Sequence, residues 1–135
     1  MIITREIDYA IRILRRLQDG ELTPTPEICK RENLPIHFVY RILKKLDNAD
    51  IVDIARGKDG GAKLSGDLDS ITMYDLVSAL GERRYVSACT KPGYDCEYRR
   101  AHDGKCGVHE KLETMQDALD DMLKSKTMHE MISNE

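Results

Sequence analysis

Residues 34–64 read LPIHFVYRILKKLDNADIVDIARGKDGGAKL, and this stretch decides the fold. Val39, Ile42, Leu43 and Leu46 recur in steps of three and four, which places them on one face of a helix. The opposite face carries His37, Tyr40, Arg41 and Lys44 at i, i+3, i+4 and i+7. Two cations and two side chains able to hydrogen-bond or stack suit a helix that enters a DNA major groove. A solvated amphipathic helix would present the same face, and the residues that follow separate the two readings. Ile51-Val52-Asp53-Ile54 predicts a strand, Arg56-Gly57-Lys58-Asp59-Gly60-Gly61 a glycine-rich turn, and Ala62-Lys63-Leu64 a returning strand. A hairpin directly after such a helix is a wing. Its glycines let the backbone approach closely, Arg56 suits a narrow minor groove, and Lys58 suits a phosphate. A phosphate-cradling nucleotide loop is the rival reading, and it fails because no GK[ST] follows and the flanks suit a hairpin.

Upstream, Ile7, Ala10, Ile11, Leu14 and Leu17 predict a first helix of about four turns, ended by Gln18-Asp19-Gly20. Thr25-Pro26-Glu27 reads as an N-cap, a proline at the first helical position and a first-turn acid, opening a short helix over 26–32. Asn33-Leu34-Pro35 breaks it before the third helix, which completes a helix-turn-helix. Downstream, Met73, Leu76, Val77 and Leu80 predict a fourth helix closed by Gly81. Periodicity is then lost over 81–107, a segment holding Pro92, Gly93, Gly104, Gly107 and the cysteines at 89, 96 and 106. From Val108 the pattern resumes: Val108, Leu112, Met115, Leu119 and Met122 form a heptad-like seam that a second subunit would bury. The tail from Ser125 is polar and Met-containing, and its last residues are expected to fray. The chain thus divides into a winged helix-turn-helix domain (1–80), a cysteine-rich loop (81–107) and a dimerisation helix with its tail (108–135). The fold class is mainly α with a small β-hairpin.

A length of 135 residues with 41% hydrophobic content suits one modest core. No run approaches a membrane span, and MIITREIDYA has no signal-peptide pattern, so a cytoplasmic protein is expected. The net charge of −3 conceals an asymmetry. Residues 1–65 carry 12 Lys+Arg against 10 Asp+Glu (+2), and residues 66–135 the remaining 9 against 14 (−5). A basic contact face joined to an acidic remainder fits that difference. Cys29, beside Ile28 on the second helix, reads as a small core residue. Three cysteines clustered in a cytosolic loop read as metal or redox chemistry, not as a disulfide framework.

The run Leu34-Pro35-x-x-Phe38-Val39-x-x-Ile42-Leu43-x-x-Leu46, then Ile51-Val52, then Arg56-Gly57-x-x-Gly60-Gly61-x-x-Leu64, resembles the winged-helix regulators that include IscR, NsrR, RirA and CymR. The likeness continues through the fourth helix, the cysteine loop and the long last helix. It implies a homodimer on a roughly palindromic double-stranded operator, with His37, Tyr40, Arg41, Lys44, Arg56 and Lys58 facing DNA. It also implies a two-iron or four-iron cluster on Cys89, Cys96 and Cys106 that answers to redox state, nitric oxide or iron–sulfur supply. His109 and Asp8 are the candidate fourth ligands, the first one helical turn beyond Cys106 and the second on the first helix. The chain departs from the family pattern in three places. Six and then nine residues separate its cysteines, a looser spacing than in familiar cluster-binding members. Ala62 stands where an aromatic residue often follows the glycines, which predicts a less firmly packed wing. Asp50 replaces a common glycine, and Asp tolerates a left-handed backbone.

Other readings of the loop are a cluster-free thiol switch, with Lys91, Arg99 or Lys105 activating a thiol, and a zinc site. The spacing lacks the paired CxxC of structural zinc. An enzyme is not expected, because no cofactor motif and no CxxC occur. A winged-helix module that binds protein in place of DNA is the remaining alternative.

Overall fold

The computed structural model describes residues 2–81 and 84–134. The outermost positions of the expected domains, 1 and 135, and positions 82 and 83 of the expected loop lie outside them. In chain order come α1 (Arg5–Leu17), α2 (Thr25–Glu32), α3 (Ile36–Asn48), β1 (Val52–Ala55), β2 (Gly61–Leu64) and α4 (Met73–Ala79). A 3-10 turn (Ala88–Thr90), α5 (Glu97–Ala101), α6 (Gly107–Lys124) and α7 (Met128–Ile132) follow. The class is the expected one.

Helix α1 starts where the Thr4 hydroxyl accepts from the Ile7 amide at 3.3 Å. Acids Glu6 and Asp8 fill its first turn and Arg15 and Arg16 its last, complementing the helix dipole. Its buried residues are Ile7, Ala10, Ile13, Leu14 and Leu17. Ile13 is the addition to the sequence reading, because α2, α3, α4, β2 and α7 all pack around this helix and widen its buried arc.

The α2–α3 turn is closed by Asn33, which takes the left-handed conformation (φ 54°), and by the Leu34 amide donating to the Cys29 carbonyl at 2.9 Å. Helix α2 begins at Thr25, one residue earlier than expected, and Thr25 is buried and does not cap. Pro26 still sits in the first turn, where its missing N–H costs no helical bond. The hairpin pairs Val52 with Leu64 and Ala55 with Gly61. A short third edge joins it, since the Thr23 and Ala62 backbones exchange hydrogen bonds of 2.9 Å in both directions.

That edge explains Gly61, and the hairpin's own turn explains Gly60. A Cβ on Gly61 would stand 2.2 Å from the Thr23 carbonyl oxygen, and one on Gly60 2.2 Å from the Ala55 carbonyl oxygen. Ala62 is fully buried under this crossing, so the looser packing expected there is not found. Asp50 is left-handed (φ 59°), as its replacement of glycine suggested. Lys45 ties the domain together, its ammonium 2.6 Å from Glu6 Oε1 and 3.2 Å from the Leu80 carbonyl.

The tail forms a helix up to Ile132, and only the described residues 133 and 134 beyond it lie outside any element. Met128 and Ile132 of α7 are buried in the core, and α7 packs on α1. Backbone bonds from Met73 to Lys126 (2.9 Å) and from Met128 to Ile71 (2.7 Å) stitch it to the residues before α4. The Thr127 hydroxyl caps it by accepting from the Glu130 amide at 3.2 Å. The cap and the apolar residues four apart were present in the sequence, but the segment is too short for periodicity to stand out.

Gly61→Ala should lower unfolding stability by about 2 kcal/mol or more, because the contact it creates is with backbone and not with a movable side chain. Urea unfolding checks this, and an unchanged midpoint would mean that the Thr23 crossing does not form.

Candidate nucleic-acid interface and cysteine loop

Helix α3 buries Val39, Ile42, Leu43 and Leu46 and exposes His37, Tyr40, Arg41 and Lys44. The two faces fall as the periodicity predicts. Arg41 is oriented from below: its guanidinium carbon stands 4.7 Å from the Phe38 ring centre. Phe38 in turn meets Tyr9 of α1 edge to face at 5.7 Å. The arrangement limits the rotamers open to Arg41 before any ligand arrives.

Between α3 and the hairpin lies a cleft of about 720 Å³. It brings together Tyr40, Lys44, Arg56 and Lys58, while His37 and Arg41 lie outside it on the same helix. Asp47 and Asn48 also line it and were missed. Their signal was available, since they continue the polar stripe at the next helical step after Lys44.

Several cations elsewhere in the domain are tied to carboxylates: Arg12 with Asp8 at 3.0 Å, Arg16 with Glu27 at 3.3 Å, Arg31 with Glu27 at 3.1 Å, and Arg15 with Glu32. Among the described residues no carboxylate pairs with Arg41, Lys44, Arg56 or Lys58. Unpaired cations along a helix and a neighbouring hairpin tip form a surface that attracts a polyanion.

The cysteine loop is more ordered than its sequence suggests. Cys89 lies in the 3-10 turn, with its sulfur 3.4 Å from the Ser87 hydroxyl. Cys96 precedes α5, and Cys106 caps α6, its sulfur accepting from the His109 amide at 3.4 Å. His109 Nε2 is 3.4 Å from Glu113 Oε1, while its Nδ1 is buried without a partner. Asp8 is engaged by Arg12. Cys89 and His109 border one cleft of about 340 Å³. Three free thiols and an imidazole nitrogen have the softness that a metal cluster demands. Their positions do not fit one. Among the described residues no three His, Cys, Asp or Glu side chains gather closely enough to hold a metal ion.

Comparison with known proteins settles the family. Residues 3–134 match the Rrf2 family of iron-dependent transcriptional regulators. The chain belongs to the Rrf2 family. Over 135 residues it is 27% identical to the protein aau3 of Rhizobium meliloti, covering 98% of this chain and 85% of that one. It is 25% identical to the transcriptional regulator IscR of Escherichia coli over 138 residues, covering 100% and 82%. Among solved structures it is similar in fold to CymR, the global cysteine regulator of B. subtilis (TM-score 0.73, 24% identity, 98% and 97% covered). It is also similar in fold to the oxidized form of Staphylococcus aureus CymR (TM-score 0.69, 20% identity, 100% and 98% covered). Such relatives are regulators of transcription, not enzymes, in line with the sequence reading.

In this Rrf2 chain, α6 splits the expected seam into two faces. Val108, Met115 and Met122, seven residues apart, are 66%, 58% and 55% exposed. Leu112 and Leu119 are half-buried, and the inward face is completed by Gln116 and Leu123. No described helix is long and apolar enough to cross a membrane.

Burial pushes the Cys29 thiol above its ordinary pKa, because desolvation penalises the thiolate. At pH 8 Cys29 should therefore react with iodoacetamide several-fold more slowly than a cysteine peptide. Its rate should still be climbing at a pH where the peptide has levelled off. Equal rate profiles for the two would contradict a half-buried Cys29 whose thiolate is desolvated.

Proposed function

We propose that the chain is a homodimeric, cytoplasmic, DNA-binding regulator that sets α3 in a major groove and the hairpin tip on the adjoining phosphates or minor groove. One observation carries this reading: the convergence of Tyr40, Lys44, Arg56 and Lys58 on one cleft between α3 and the wing, with no carboxylate among the described residues paired to any of these cations. Arg41 and His37 extend the same face along α3. A two-fold dimer would present two such faces to half-sites about one helical turn apart, hence a roughly palindromic operator. The exposed Val108, Met115 and Met122 stripe of α6 supports the dimer, since burying it in a copy of itself removes three large apolar side chains from water. A protein-binding winged helix would have less use for four unpaired cations.

The cysteine loop is read as the sensory element, and family membership among iron-dependent regulators is the support for a cluster there. Cys89, Cys96 and Cys106, with His109 as the freer fourth donor, form the only set on which that reading can rest. As folded, these residues stand on separate elements and do not fit a cluster, so no regulatory step is assigned to one. Thiol oxidation requires no convergence and remains open to the same three cysteines.

Binding to fragments of the upstream region of its own gene, followed by fluorescence anisotropy, tests the DNA reading. Arg41→Ala should weaken specific binding about tenfold or more while leaving non-specific binding nearly unchanged. Lys58→Ala should weaken binding to every sequence and lower the salt slope by about one. Wild-type affinities in both variants would remove α3 and the wing from the interface. Met115→Glu should weaken self-association about tenfold or more in analytical ultracentrifugation, since it places two carboxylates in an apolar seam. An undiminished dimer would mean that α6 does not form the interface.

A further inference from the structure

The cysteine loop has no hydrophobic core of its own. Among the described residues of 84–106 only Thr90, 7% exposed, is buried. One polar side chain, Gln116 of α6, itself 4% exposed, makes several of the contacts that hold the segment before Cys96 against the body, and the Arg84 side chain adds another by donating to the Ile2 carbonyl at 3.2 Å. Gln116 Oε1 accepts from the Val86 amide at 2.9 Å and from the Thr90 hydroxyl at 3.1 Å. Its Nε2 donates to the Arg84 carbonyl at 2.9 Å and to Asp120 Oδ1 at 3.0 Å. A primary amide offers two donor hydrogens and two acceptor lone pairs, and all four are engaged. Three of the four partners belong to residues 84–90, on both sides of the turn that carries Cys89. Gln116 and Thr90 also border the cleft shared by Cys89 and His109.

We infer that Gln116 is the positioning residue for Cys89: its amide clamps residues 84–90 to α6, fixes how Cys89 is presented in the cleft, and makes the turn and α6 move together. A buried amide is suited to this task. An apolar side chain would remove the bonds to the Arg84 carbonyl, the Val86 amide and the Thr90 hydroxyl together, so this segment would open locally while the core stayed closed. A carboxylate of the same shape fails in a different way. It has no N–H to give to the Arg84 carbonyl, and it faces the Asp120 carboxylate.

The test is site-resolved alkylation of the full-length chain by iodoacetamide, read by mass spectrometry, with Cys29 as the internal reference. In Gln116→Glu and in the near-isosteric Thr90→Val, the ratio of Cys89 to Cys29 rates should change by about fivefold or more and about twofold to threefold respectively. Cys29 itself should change less than twofold. Circular dichroism establishes that the fold is kept, and if Gln116→Glu does not fold, Thr90→Val decides alone. General destabilisation would raise both cysteines together and overturn the assignment, as would an unchanged ratio in a folded variant. Because the readout requires no DNA, its failure is separate from failure of the DNA-binding reading.

Discussion

The burial of α1 places most of the elements around it, with α2, α3, α4, α7 and β2 packed on it directly and β1 held through α3 and β2. Ile7, Ala10, Ile13, Leu14 and Leu17 are removed from water completely, and five other elements supply the cover. Each buried Leu or Ile contributes roughly 1.5–3 kcal/mol, so this helix accounts for a large share of the driving force. Because α3 presses one face on α1, its other face must point outward. The outward direction of His37, Tyr40, Arg41 and Lys44 is therefore a consequence of core packing and needs no separate device. Lys45 shows how the two demands are divided along one helix: its neighbour Lys44 stays free at the cleft, while Lys45 turns back to Glu6.

The hairpin obeys a second constraint that acts through backbone, not side chains. Thr23, just ahead of α2, crosses Ala62 closely enough to demand glycine at 61 and a small residue at 62. That crossing fixes the wing against the start of α2, which is why Pro24 and Thr25 share a cleft with the wing cations. The glycines usually attributed to a flexible tip serve here to let two strands touch.

Much of this was legible in the sequence because it follows from periodicity and turn chemistry. The two faces of α3, the Asn33 turn, the hairpin and the left-handed Asp50 each rest on residues within a few positions of one another. What escaped depends on contacts distant in sequence. The crossing of Thr23 over Ala62 joins residues 39 positions apart, so the sequence showed Gly61 without its reason. Helix α7 is five residues long, and its burial depends on meeting α1 from the other end of the chain. Gln116 escaped for a different cause: an apolar pattern search discards a polar residue on the buried face of a helix, and α6 uses one there.

That choice sets the two halves of the molecule apart. The DNA-binding domain is held by apolar burial, which is non-directional and tolerates small shifts. The cysteine segment is held to α6 by hydrogen bonds, which weaken steeply once their angles or distances change. Such bonds are strong while all partners are present and costly when one is lost, so this segment has a closed arrangement and few intermediate ones. α6 carries the exposed seam on one face and Gln116 on an adjacent one, about 100° round the helix from Met115. Anything that moves residues 84–90 is thus felt on the helix whose outer face offers itself to a second subunit. One helix, α6, thus holds residues 84–90 through a directional polar contact while it exposes an apolar stripe to solvent.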